Sequence, residues 1–465
     1  MQQEFVDQGW RSLVRREWIP ILVVLLGGVL LQSMNILMLA TILPSIVGEL
    51  GGIAILSWPT TAYLALSIVA ASCAGMLATM IGARTVYCAG VSVFCLGALL
   101  CSLAPTMGWI VAGRLIQGFG GGLEAAVAYI AVRETFPRAI WSRVIALMST
   151  SWSVSVLIGP LVGGTFAHFG NWRGAFATTA AGAAALAIGA FFTLPAAATR
   201  SASAPRIPAA RVALICLAIV ATSLTSVVAS LPGKIGLIGA AVCSLAIMLR
   251  LNRLASSPLL PRDAFSLRTQ TGVGLWLAFL LCVTYSPLQL YVPMFLQQLH
   301  GLDPLAAGLS VATASFAWTA ASLATASASE SSRDRLVIAG PATMGVSLIA
   351  IAVLTPHSAL LLVVPAIVLL GIGIGQCWPF VAQRIMEGAK AGDETVAASS
   401  VPTIQQMGFA LGAAIAGLIG NAAGLSIANS NEAMMQAASW VPGSFVVPAI
   451  LATAMGVRLR GARSS

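Results

Sequence analysis

Long apolar runs separated by short polar breaks recur along the whole chain. A membrane-spanning helix needs roughly 20 apolar residues. Fourteen stretches qualify: 19–42, 57–79, 84–104, 107–131, 143–167, 173–196, 210–231, 234–251, 272–298, 304–326, 335–355, 358–384, 396–421 and 439–458. The stretch 234–251 is short, and 304–326 is rich in Ala, Ser and Thr. The first run is too long for a signal peptide and lacks a cleavage site, so it is kept as a span. The pattern predicts an all-α integral membrane protein.

Charge tests this reading independently. Of 24 Lys and Arg, 21 fall in alternate breaks, on one side of the membrane; Arg173 and Lys234 fall on the other, and Arg114 lies inside a span. The positive-inside rule then places both termini in the cytoplasm. The runs group as six, two and six. This predicts a cytoplasmic N-terminal segment (1–18), an N-terminal six-helix bundle (19–197), a linker with two inserted helices (198–268), a C-terminal six-helix bundle (269–458) and a cytoplasmic tail (459–465). The linker stretch 197–207 is rich in Ala, Ser, Arg and Pro, and two blocks of six suggest parallel repeats.

Composition narrows the class. The 465 residues are 58% hydrophobic and 8% charged, against about 25% charged for a soluble domain. Mean hydropathy is +0.94. A cytosolic enzyme, a disordered chain and a nucleic-acid-binding domain are excluded. The pI of 9.7 is explained by basic residues at span ends rather than by a nucleic-acid surface. All eight cysteines lie in or at the ends of apolar runs without a CxxC or Cys/His cluster, so they read as small apolar filler, and no metal site or cofactor is expected. GxxxxGK[ST] does not occur, which argues against an ATP-driven pump.

Several motifs stand on these spans. The fourth span reads Gly113-Arg114-Leu115-Ile116-Gln117-Gly118-Phe119-Gly120-Gly121-Gly122, the fifth Gly159-Pro160-Leu161-Val162-Gly163-Gly164. The second opens with Trp58-Pro59-Thr60-Thr61-Ala62-Tyr63-Leu64, the sixth with Asn171-Trp172-Arg173-Gly174-Ala175-Phe176. Val292-Pro293-Met294-Phe295-Leu296-Gln297 is followed by Gly301, Pro304 and Gly308. Together these resemble the major facilitator superfamily, and the 6+2+6 count with the span-five motif resembles its fourteen-span drug:proton antiporter family. The resemblance covers nearly the whole chain. It implies the major facilitator fold with 14 transmembrane helices, alternating access, and a small-molecule substrate exchanged for protons across a bacterial inner membrane.

Within the motifs, Gly159 and Gly163 share a helix face and let a neighbouring helix approach closely. Pro160 removes a backbone hydrogen bond. In the family this motif, Gly159, Pro160, Gly163 and Gly164 here, marks antiporters. Arg114 is an intramembrane arginine and therefore a functional-site hypothesis; Gln117 shares its side of the helix. By resemblance Arg114 belongs to a motif linked to proton transfer, with a structural role bonding backbone carbonyls as the alternative. Glu124 is the acid placed well inside a span. Burial favours a carboxyl's neutral form, which suits a proton carrier; the alternative is a scaffold role in a wet cavity. Ten residues from Arg114, about 15 Å along a helix, it does not pair with it directly.

Two departures from the family pattern matter. Asn35 stands where relatives commonly carry Asp, and Asn does not titrate, which shifts weight to Glu124. Asn35 is left to bond substrate or Arg114. Between spans two and three, Gly75, Gly82 and Arg84 survive of the family's loop motif, while Thr79 and Met80 replace its Asp-Arg pair. Asp334 and Arg335 are the candidate counterpart in the second half.

A midplane pocket between repeats is the physical expectation. Polar and aromatic groups inside spans are its candidate lining: Asn35, Trp152, Gln289, Tyr291, Gln297, Gln376, Trp378, Gln405 and Gln406. Interhelical hydrogen bonding is the alternative for each. Scarce buried charge points to an apolar, neutral or cationic solute. His168, His300 and His357 fall near outer span ends and read as surface residues or a proton-entry route. The sequence predicts a monomeric, non-enzymatic exporter of small, largely apolar organic compounds. A dedicated exporter of one metabolite or antibiotic, and an uptake carrier without proton coupling, remain open alternatives.

Overall fold

The apolar runs form helices throughout the computed structural model, which describes residues 10, 13, 15–51, 58–195, 209–224, 228, 230–255, 258–357, 360–425 and 431–461. In chain order these are α1 (Ile19–Leu50), α2 (Trp58–Ile81), α3 (Ala83–Ser102), α4 (Met107–Thr135), α5 (Trp141–His168), α6 (Trp172–Thr193), α7 (Ala209–Leu224), α8 (Leu231–Arg253), α9 (Gln270–Leu290), α10 (Val292–His300), α11 (Pro304–Thr325), α12 (Glu330–His357), α13 (Leu360–Glu387), α14 (Glu394–Ala422), α15 (Asn431–Ser444) and α16 (Val446–Gly461). Each of the fourteen expected spans meets a helix. Thirteen helical stretches among the described residues are long and apolar enough to cross a membrane, with α9–α10 and α15–α16 each counted as one. The remaining expectation, 210–231, meets the 16-residue α7. The expected linker 197–207 lies outside the described residues.

Local chemistry sets the ends. Asn171 caps α6 by accepting from the Gly174 N–H at 3.1 Å, and Thr269 caps α9 through Gly272 at 3.2 Å. Side-chain oxygens at this position satisfy amides that have no partner inside the helix. Gly82, at φ 88°, turns the chain from α2 into α3 through a conformation that side-chain-bearing residues avoid. The expected span 272–298 is divided at Tyr291. Pro287 and Pro293 flank that break, and each removes a helical donor. The expected span 439–458 is likewise longer and divided near Phe445, beside Pro442 and Pro448.

The chain divides into two units, one comprising 1–209, 255–260 and 391–403, the other 210–254, 261–390 and 404–465. In the first, α4 packs on α2 and α3, α3 on α6, and α1 on α5 and α6. In the second, α13 packs on α11 and α12, α12 on α15 and α16, and α9 on α16. There α9 and α14 close on each other at Gly408 and Gly412, where a Cβ would stand 2.7 Å from Cys282 Cβ and from Ser286 Cβ. α7 and α8 meet through Ala218, Ala221 and Ala241, and Arg211 donates to Asn252 Oδ1 at 3.3 Å.

Candidate functional site

The first unit concentrates its buried polar chemistry along α4. Small residues make this possible. A Cβ on Gly118 or Gly122 would stand 2.9 Å or less from backbone atoms of Tyr63 and Ser67 in α2, and one on Gly97 or Gly113 would crowd the seam of α3 with α4. With no side chains in the way, the polar groups of α1, α2 and α4 are held at hydrogen-bonding range.

Arg114 is fully buried. Its Nη1 donates to Asn35 Oδ1 in a short hydrogen bond and to Gln117 Oε1 at 3.0 Å. Its Nε donates to the Pro59 carbonyl at 3.4 Å. Its guanidinium carbon lies 4.3 Å from the centre of the Tyr63 ring, a cation–π arrangement that strengthens when desolvated. The arginine is thus held by neutral dipoles and a ring face. Gln117 Oε1 also accepts a weak bond from Cys101 Sγ at 3.9 Å. Asn35 Nδ2 and Gln117 Nε2 are buried without a hydrogen-bond partner among the described residues.

Glu124 is 4% exposed, and its Oε1 has no hydrogen-bond partner among the described residues. It lines a cavity of about 10 Å³ together with Leu31, Gln32, Val91, Phe94 and Leu186, at the lower limit of what holds one water. Gly28 of α1 and Tyr87 of α3 close over the carboxyl; the Tyr87 hydroxyl donates to the Val24 carbonyl at 2.9 Å. Gly28, Gln32, Tyr63 and Tyr87 were not singled out as site residues from sequence. Gln32 carried a signal, a polar residue one helical turn before Asn35; the tyrosines and Gly28 are identified by their neighbours alone.

The GPxxGG stretch is the seam of α5 with α1. A Cβ on Gly159 would stand 2.8 Å from Leu37 Cβ, and one on Gly163 2.9 Å from the Met38 carbonyl. Ser33 and Ser155 hydroxyls meet at 2.5 Å one turn away. Gly164 faces Thr41 at an ordinary 3.7 Å, and Pro160 is exposed. In the loop motif, Arg84 stacks 4.4 Å from the Phe191 ring centre. A Cβ on Gly75 would stand 3.0 Å from Val396 Cα. Thr79, in place of an acid, bonds its own helix at the Met76 carbonyl, 2.7 Å away.

The other candidate lining residues are dispersed. Trp152 and Gln289 are exposed, and Tyr291, Gln297, Gln405 and Gln406 half-buried. Gln376 donates to Thr343 Oγ1 at 3.2 Å. Trp378 is buried, its ring centre 6.1 Å from that of Trp318. Of the histidines, His300 Nε2 lies 2.9 Å from the Thr355 carbonyl, while His168 and His357 are exposed. Asp334 forms a short ion pair with Arg384 of α13, a partner that the sequence motif did not name. Among the described residues no group of three or more metal-ligating side chains occurs.

Known proteins share this architecture and sequence. The chain is 32% identical over 428 residues to a Mycobacterium tuberculosis protein named "Probable multidrug-efflux transporter", covering 89% of this chain and 90% of that protein. It is 34% identical over 136 residues to the multidrug transporter protein MdtP of Bacillus subtilis, covering 29% of this chain and 25% of MdtP. Among solved structures, the human organic anion transporter MFSD10 superposes with a TM-score of 0.70 at 14% identity, covering 95% of this chain and all of that one. The proton:xylose symporter XylE gives 0.65 at 14% identity, covering 93% and 94%. The family model for the Major Facilitator Superfamily matches residues 25–416, and the chain belongs to that superfamily.

Proposed function

We propose that this transporter exports small, largely apolar organic compounds by alternating access, in exchange for protons. The multidrug-efflux names of its relatives support the substrate class. One observation carries the coupling: Glu124 is a buried carboxyl with an unpartnered oxygen beside a small cavity. A carboxyl so placed is costly when charged and comfortable when neutral. Proton entry and release therefore change the energy of the fold around it, as a coupled exchanger requires.

Arg114 stays charged and is held at the junction of α1, α2 and α4 by Asn35, Pro59, Tyr63 and Gln117. In this reading it tunes the helix junction while Glu124 exchanges the proton. Substrate is held by apolar and aromatic contacts, with few polar groups setting orientation. The accompanying topology is fourteen spans as six, two and six, both termini cytoplasmic, in a bacterial inner membrane, with the monomer as the working unit. A second reading, an uncoupled carrier, is favoured by Asn35, which is already committed to Arg114 and cannot titrate.

The test is substrate-driven proton movement in proteoliposomes carrying a pH-sensitive dye, over a panel of lipophilic cations and neutral drugs. Proton flux with a transported compound, abolished in Glu124→Gln, is expected. Transport without proton flux selects the uncoupled carrier; flux that survives the substitution removes Glu124 from the mechanism.

A further inference from the structure

We propose that Gln32 and Tyr63 are positioning residues that carry the protonation state of Glu124 to Arg114; this rests on the proton-coupled reading above. Gly28 of α1 lies against Glu124, and Asn35 of α1 against Arg114. Ascending numbers on α1 meet descending numbers on α4, so the two helices run antiparallel, with a carboxyl at one end of the shared stretch and a guanidinium at the other. Gln32 falls between.

Tyr63 bridges much of the same distance from α2. Its ring lies under Arg114. Its hydroxyl reaches Gly121, where a Cβ would stand 2.7 Å from it. Gly121 is three residues before Glu124, less than one helical turn. Gln32 neighbours that hydroxyl, without closing a hydrogen bond of normal geometry among the described residues. Gln32 also lines the cavity that holds Glu124. The order is therefore Glu124, Gln32, Tyr63 hydroxyl, Tyr63 ring, Arg114, Asn35.

The chemistry of an amide fits this place. Glutamine offers two donors and an acceptor on one group that can rotate. Toward a carboxylate it presents its NH2, leaving its oxygen to accept from the Tyr63 hydroxyl. Toward a protonated carboxyl it presents its oxygen, leaving its NH2 to donate to the tyrosine oxygen, whose hydrogen must then point elsewhere. The two arrangements differ by one amide rotation and one hydroxyl rotation, and no proton passes beyond Glu124. The buried, unpartnered oxygens of Glu124 and Tyr63 are the groups such a link would satisfy, and an unsatisfied buried group costs about 1–3 kcal/mol. Among the described residues, the titratable groups near enough to sense a charge on Glu124 are Tyr87 from α3 and Tyr63 from α2, with Arg114 farther along its own helix. The cavity walls from α1 and α6 contribute Leu31, Gln32 and Leu186, none of which titrates.

The experiment uses the full chain in proteoliposomes with tetraphenylphosphonium as the transported cation. Two readouts are taken for the parent, Gln32→Leu, Tyr63→Phe and Glu124→Gln: accumulation driven by a pH gradient, with its pH profile, and substrate exchange at equal pH. Tyr63→Phe keeps the ring under Arg114 and removes the hydroxyl alone. Gln32→Leu and Tyr63→Phe are expected to keep exchange and to lose about tenfold in gradient-driven accumulation, as loss of one buried hydrogen bond would give, with a flattened pH profile. Parent-like accumulation and pH profile in both variants, with accumulation abolished in Glu124→Gln, overturns the link and leaves the Glu124 reading intact. Loss of exchange together with accumulation in both overturns it in favour of a packing role. Accumulation that persists in Glu124→Gln overturns the coupled reading, and the link with it.

Discussion

Gly28 lies so close to Glu124 that a Cβ on it would stand 2.9 Å from the carboxyl carbon and closer still to Oε1. The same atom would overlap the Tyr87 hydroxyl. Position 28 therefore sets how a buried acid is housed, through the absence of a side chain. Gly28→Ala must displace the carboxyl, the tyrosine or α1 itself. Overpacking of this kind costs about 1–3 kcal/mol. Thermal unfolding in detergent should show a lowered midpoint, and transport should fall. Gly27→Ala is the control: its Cβ would meet Leu186 Cδ1 at 3.4 Å, and parent-like stability and transport are expected.

Arg114 tests the neighbouring cluster. Arg114→Lys keeps the charge but not the planar fork that reaches Asn35, Gln117 and Pro59 together, so the exchange is not conservative. Transport should drop by at least about tenfold, one hydrogen bond to a charged group being worth about 1.5–3 kcal/mol. Asn35→Ala should lower stability by about 1–3 kcal/mol by leaving a buried donor unpaired. Asn35→Asp places a carboxylate beside the guanidinium and should keep the cluster assembled. An Asn35→Ala variant as stable as the parent would contradict the geometry.

The seam between α5 and α1 is graded along its length. Gly159→Leu and Gly163→Val push side chains into Leu37 and the Met38 carbonyl and should destabilise by about 1–3 kcal/mol or more. Gly164→Ala, with Thr41 Cγ2 at 3.7 Å, should leave the unfolding midpoint unchanged. Equal effects at all three positions would show that the motif is not read through close approach.

Much of the fold was legible in sequence because the membrane leaves few choices. Each span had to hide its backbone in a helix of apolar residues, and every expected span meets a helix. The breaks at Tyr291 and near Phe445 were less legible, since proline inside a spanning helix is tolerated where neighbours re-satisfy the backbone. The candidate site was partly legible. Arg114, Gln117, Glu124 and Asn35 announced themselves as polar residues in apolar runs, and Gly159 and Gly163 as a site of close packing. Gly28, Tyr63 and Tyr87 did not, because a small residue or an aromatic in a span looks like ordinary packing until its neighbours across the helix interface are known. Arg384 was hidden for the same reason: its partner Asp334 lies in a different helix, 50 residues away.

That pair yields a further prediction. The Arg384 side chain is 6% exposed and that of Asp334 21%. Removing one partner of a buried pair leaves an uncompensated charge, at about 3–5 kcal/mol. Asp334→Ala should therefore lower the unfolding midpoint more than the double substitution Asp334→Ala with Arg384→Met, measured side by side in detergent. Additive losses in the double variant would contradict the pairing.

If a proton on Glu124 is exchanged for substrate, substrate binding must release it. Purified transporter in weakly buffered detergent solution is titrated with tetraphenylphosphonium while a pH dye reports protons. Release that saturates with binding is expected in the parent, and none in Glu124→Gln although the variant still binds. Binding to the parent without release, or release undiminished in Glu124→Gln, would contradict that exchange.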